Sequence, residues 1–140
     1  RLIYMGLPGE PNYALAENPE MLRQTKRALA STGIKVHDIE LARIHDDMHP
    51  TKYLPAMEVA AELGAKAVLS SIWTPNLEYA TEKFAEVCDL AKPFGLTVDL
   101  EYVPIAAVTQ ITVRYGRRIA GLSANSTGVL VPAMMRKMFE

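Results

Sequence analysis

Cys88-Asp89-Leu90-Ala91-Lys92-Pro93-Phe94-Gly95-Leu96-Thr97-Val98-Asp99-Leu100-Glu101-Tyr102-Val103 is the stretch whose reading decides the fold. It opens inside a helical pattern, in which Phe84, Val87, Cys88 and Ala91 recur at the spacing of one helix face. Gly95 follows, where a residue without Cβ can take the left-handed conformation that closes a helix. Beyond it, apolar and polar residues alternate as in a half-buried strand.

The same order, helix then glycine then strand, recurs upstream. Gly33, Gly64 and Gly95 lie 31 residues apart in each interval. Helices are expected over Pro19–Ser31, Tyr53–Leu63 and Leu77–Lys92. Asn18 is expected to cap the first, with Pro19 at its first position and Glu20 suited to the positive end of the dipole. Asn76 or Thr74 is expected to cap the third. Strands are expected over Ile34–Leu41, Ala65–Ile72 and Leu96–Val103. Two more are expected at Leu2–Met5 and Gly128–Val131, with a helix near Thr109–Ala120.

Strands alternating with helices imply right-handed crossovers and a parallel sheet. Two architectures fit, a doubly wound open sheet and part of a closed barrel. No glycine-rich phosphate loop of either common form is present, which speaks against a nucleotide-binding open sheet. Carboxylates at strand ends favour the barrel, whose sites gather at the C-terminal ends of its strands. A unit of 31 residues also matches the roughly 250 residues of a complete eight-unit barrel. The expectation is therefore an α/β fold, a partial (β/α)8 barrel of about five parallel strands. It forms one domain over residues 1–140, incomplete at both ends; the chain starts at Arg1 rather than Met.

Composition narrows the function classes. The 140 residues carry a formal net charge of -1, so no basic field draws in nucleic acid or an anionic membrane. No apolar run approaches the roughly 20 residues that cross a bilayer. The opening residues lack the pattern of a secretory signal. A single cysteine, Cys88, excludes an internal disulfide and points to a reducing cytoplasm. In a helical pattern that thiol reads as a small buried hydrophobe.

Period-2 alternation places Val36, Asp38 and Glu40 on one face of their strand, with His37 turned toward a helix. It likewise groups Thr97, Asp99 and Glu101. If Val98 and Leu100 pack under the helices, Asp99 and Glu101 point into the barrel. Such carboxylates need a cation, a metal or strong hydrogen bonds; the plain alternative is a structural pair with a neighbouring Lys or Arg. His45 and His49 sit in the polar loop His45-Asp46-Asp47-Met48-His49-Pro50, read either as a solvated loop or as one that gates a substrate. The three histidines make no ligand set. Trp73 ends its strand as an apolar wall for a ligand, or packs against a helix.

The chain resembles the sugar phosphate isomerase/epimerase family, the xylose-isomerase-like barrels that also include relatives of AP endonuclease IV. Four stretches carry the resemblance: residues 29–41, residues 60–68, residues 88–104 and residues 128–135. The third is the most specific and the last the weakest. The resemblance implies that the chain spans the family's second to sixth strands. It also implies a divalent metal (Mn, Mg, Zn or Co) that assists proton transfer next to a carbonyl, with a sugar or keto acid as substrate. Glu101 matches the first metal-binding carboxylate and is the implied catalytic residue. Glu40 is the implied substrate contact, and Trp73 joins it as a substrate-binding candidate from its strand-end position alone. The family's Asp-x-x-His motif falls on Pro132 and Met135, neither of which is a ligand for a hard cation. The resemblance therefore implies a catalytically impaired member of the lineage, or a non-catalytic binding or assembly module of the same fold. Open sheet edges lead us to expect either a homo-oligomer or a fold completed by a partner half-barrel.

Overall fold

The computed structural model describes residues 8–9 and 11–101. The strands expected at Leu2–Met5 and Gly128–Val131, the helix near Thr109–Ala120, Pro132 and the methionines Met134, Met135 and Met138 lie outside the described residues. Three helices, α1 (Pro19–Thr32), α2 (Leu54–Glu62) and α3 (Leu77–Ala91), alternate with three strands, β1 (Asp38–Ile44), β2 (Ala67–Ile72) and β3 (Thr97–Leu100). Short 3-10 turns precede α1, lead into α2 and close α3. The sheet is wholly parallel and in sequential order, β1-β2-β3. Of the five strands expected, three are described, and their parallel, sequential order is common to any run of βα units.

The punctuation read from the sequence has its expected physical basis. Asn18 accepts a hydrogen bond from the Met21 N–H at 3.0 Å, and Asn76 one from the Tyr79 N–H at 3.1 Å, satisfying donors that helix starts leave open. Gly33, Gly64 and Gly95 have φ of 71°, 82° and 67°. Each reverses the chain in a conformation that costs an L-residue more than glycine, and each releases it toward the next strand.

One face of the sheet holds the core. Ile39, Ala42 and Ile44 of β1, Val68 and Ile72 of β2, and Val98 of β3 pack with Met57 and Ala60 of α2 and with Phe84, Val87 and Ala91 of α3. Val98 is buried and Leu100 packs beside it, as expected. Helix α1 buries none of its residues fully; the Lys26 ammonium pairs with the Glu62 carboxylate of α2.

Two expectations need correction. Strand β1 starts at Asp38, not Ile34, because its ladder partner β2 begins at Ala67, opposite Asp38. Ile34 is 66% exposed and therefore has no sheet to pack on. His37 does not face a helix. It is exposed, and its carbonyl accepts the Lys66 N–H at 2.8 Å, bridging the start of β1 to the approach of β2.

Strict alternation also fails inside β1. The register runs Glu40 to Leu69 and then Ala42 to Ser70, leaving Leu41 as an inserted residue. Past this bulge the faces exchange parity. Ala42 and Ile44 join Ile39 in the core, and Arg43 emerges on the face of Asp38 and Glu40.

Candidate functional site

The face of the sheet away from α2 and α3 collects the polar groups. By register, Asp38 of β1 lies level with Ala67 and Thr97, Glu40 with Leu69 and Asp99, and Arg43 with Ser71. Glu101 follows directly on β3, and its N–H donates to the Ser70 carbonyl at 2.7 Å, which carries the ladder one step past the strand. Alternation then sets Glu101 beside Ser71, on the far side from Arg43. Neighbouring parallel strands stand about 4.8 Å apart, so Glu40 and Asp99, and likewise Arg43 and Glu101, are separated by about 10 Å of backbone.

Each residue singled out in the sequence has a definite place here. Glu101 is exposed at the C-terminal end of β3. Glu40 is exposed in mid-strand, nearer the centre of the sheet. Trp73 directly follows β2, is 36% exposed, and donates its indole N–H to the Ser71 hydroxyl at 2.8 Å. Trp73 and Glu101 thus share the C-terminal end, where parallel α/β sheets bind their ligands. Glu40 stands a row or more below them.

Sequence reasoning missed Arg43. Its guanidinium carbon lies 5.0 Å from the centroid of the Trp73 ring, a cation–π contact. Only the bulge at Leu41 puts it there. The adjacent apolar pair Leu41-Ala42, which breaks the alternation of Ile39-Glu40-Leu41, was the available signal. Lys52 belongs to the same corner. Its ammonium sits 3.2 Å from His45 Nε2 and 5.0 Å from the Tyr53 ring centroid, while the Tyr53 hydroxyl donates to the Arg43 carbonyl at 2.6 Å. Partial burial and then the nearby Arg43 charge lower the Lys52 pKa. His45 Nδ1 faces the Asp46 carbonyl at 2.7 Å. A carbonyl only accepts and an ammonium only donates, so this pair of contacts puts the ring proton on Nδ1.

The loop after β1 is pinned rather than loosely solvated. The Asp46 carboxylate accepts from Thr74, and the Tyr79 hydroxyl of α3 both accepts from the Met48 N–H at 3.0 Å and donates to its carbonyl at 3.3 Å. Met48 itself is buried, and Asp47 turns the chain at a φ of 58°. The Trp73 N–H donates to the Ile44 carbonyl at 2.7 Å, which ties the two loops at their roots. These bonds hold the rim of the site in place.

The metal expected from the resemblance finds no ligand set among the described residues. No group of three or more His, Cys, Asp or Glu side chains is placed there to hold one. Glu40 and Asp99 stand apart across Leu69, and Glu101 would need further ligands from beyond the described residues. Likewise, no helix among the described residues is long and apolar enough to cross a membrane.

No family model, curated protein or solved structure matches this chain.

Proposed function

We propose that this chain belongs to the sugar phosphate isomerase/epimerase lineage and binds a sugar or keto acid without turning it over. The observation that carries this reading is the arrangement of the parallel sheet. Its strands run in sequential order with α2 and α3 on one face, and Trp73, Arg43, Ser71 and Glu101 gather at the C-terminal end of the other. Sugars are bound by such mixtures, in which an aromatic ring covers C–H faces and charged or hydroxyl groups bond the oxygens. Glu101 at the mouth supplies an acceptor for substrate hydroxyls, and Glu40 extends the polar surface inward. Proton transfer in the lineage requires a metal held by several ligands. Pro132 and Met135 stand where two of these would be, so the reading stops at binding.

The test is to incubate the chain with a panel of sugar phosphates and keto acids, with and without Mn²⁺ or Mg²⁺, following both line broadening and product by NMR. Binding without product is expected. Robust metal-dependent turnover overturns the non-catalytic part, and no broadening with any ligand overturns the whole.

A second reading is an assembly module. Among the described residues, β1 and β3 each have β2 as their only ladder partner, and an unpaired strand edge is a template for association. Light scattering decides it: a homo-oligomer is expected, and a monomer at high concentration rejects it.

A further inference from the structure

We infer that Arg43 and Ser71, both in contact with Trp73, and the neighbouring Lys52 form an oxyanion site that anchors the phosphate or carboxylate group of the ligand. This rests on the ligand-binding reading above and adds the charged group by which the ligand is held.

The argument starts from a mismatch of charge. Arg43 lies partly buried on the sheet face, and its Nε is shut off from solvent without a hydrogen-bond partner among the described residues. A buried donor left unpaired is costly. Among the described residues neither Arg43 nor Lys52 forms an ion pair; those present join Arg23 and Arg27 to Glu20, Lys26 to Glu62 and Lys83 to Glu86. On the loop after β1, the Asp46 carboxylate already accepts from Thr74. Among the described residues neither cation is thus neutralised by an ion pair, and Lys52, its pKa lowered by burial first and by the Arg43 charge second, lies within reach of that charge.

Geometry gives the corner the form of a site. The guanidinium carbon lies 5.0 Å from the Trp73 ring centroid, and a cation–π contact of this kind uses no N–H hydrogen bond, so the guanidinium donors can still bind an oxyanion in a fork. Ser71 lies level with Arg43 on the neighbouring strand, and its hydroxyl oxygen is held by the Trp73 indole N–H, leaving its own proton to donate. His45 orients Lys52 from the other side. Glu101, about 10 Å away across Ser71, repels a second negative charge and so favours a ligand with its anion at the Arg43 end and hydroxyls toward Glu101. A purely structural Arg–Trp stack would account for the 5.0 Å contact but not for Lys52, a second nearby cation that forms no ion pair among the described residues.

Trp73 is the only tryptophan in the chain, so its fluorescence reports on this corner alone. Inorganic phosphate, glycerol phosphate and pyruvate are titrated separately at constant ionic strength, with chloride as control. A saturable change is expected with at least one of them and not with chloride. Saturation by the two phosphates assigns a phosphate ligand, and saturation by pyruvate alone a carboxylate. Arg43→Gln should weaken binding about tenfold or more, as for a lost charge-assisted hydrogen bond. Lys52→Gln, at an exposed position that leaves the fold intact, should weaken it several-fold. Responses no different from chloride overturn the inference, as does unchanged affinity in both the Lys52→Gln protein and a folded Arg43→Gln protein. Saturable phosphate binding in a chain that takes up no sugar or keto acid would leave the oxyanion site standing and remove the broader functional reading.

Discussion

The Thr74 hydroxyl donates a 2.5 Å hydrogen bond to the Asp46 carboxylate and so joins the loop after β1 to the loop after β2. Thr74 is fully buried, and its oxygen also accepts the Asn76 N–H at 3.2 Å, at the start of α3. One hydroxyl thus serves two loops and a helix start. Thr74→Val keeps the shape and removes both bonds. A loss of about 1–3 kcal/mol is expected in urea unfolding, since one bond is charge-assisted and the other leaves a backbone donor without a partner. Asp46→Asn keeps an acceptor and should cost less. Equal stability of the Thr74→Val and wild-type proteins would mean that the loops are held elsewhere.

Asn18 and Asn76 cap helices with different duties. Asn76 opens α3, which brings Phe84 and Val87 to the core, whereas Asn18 opens α1, which buries no residue fully. Each Asn→Ala change should cost the helix about 1 kcal/mol. Because α1 carries so little of the core, Asn76→Ala should lower the global unfolding midpoint while Asn18→Ala mainly speeds amide exchange within α1. Amide hydrogen exchange measured residue by residue separates the two outcomes.

The parts of this fold written in local chemistry could be read directly. A capping asparagine, a glycine past a helix end and a stripe of apolar residues each act over one or two turns, and Asn18, Asn76, Gly33, Gly64 and Gly95 stand where expected. The start of β1 was not legible, because Ile34 and Val36 have a strand's alternation but no partner strand beside them; the ladder begins only where Asp38 meets Ala67. Arg43 was hidden for the same reason. Its face depends on the bulge at Leu41, and a bulge is a property of two paired strands rather than of one. Trp73 and Glu101 could be placed at strand ends from sequence, but their relation to Arg43 required the register.

Gly64 tests how much the period of glycines matters. Its φ is 82°, and a Cβ built on it would meet no atom within 4 Å, so the cost of a side chain is conformational and not steric. Gly64→Ala should destabilise by about 1–2 kcal/mol, the cost of the left-handed conformation for an L-residue. Gly64→Asn should recover part of this, because asparagine tolerates that region better. If Ala and Asn proved equally harmful, contact rather than backbone conformation would be the cause.

Alkaline pH should weaken the fold through two groups in one core. Burial pushes the Cys88 thiol up to about 12 from 9.0, with the Asp89 charge adding to it, and burial raises the Tyr53 phenol to about 12 from 10.0. Both are neutral in the folded protein through a range where the unfolded chain already ionises them. Between about pH 9 and 12 the folded state therefore holds more protons, and stability falls as pH rises. Each group contributes a slope of up to about 1.4 kcal/mol per pH unit within its own window, and below that window neither contributes. Cys88→Ala and Tyr53→Phe should lower stability at neutral pH, through a lost contact and a lost bond to the Arg43 carbonyl, yet flatten this alkaline slope. Thiol labelling gives an independent check, since reaction requires the thiolate and access to it. At pH 8 the native protein should react with a disulfide reagent only as fast as the core opens, and denaturant should release the reaction. Rapid labelling of the native protein would show that Cys88 is neither buried nor raised.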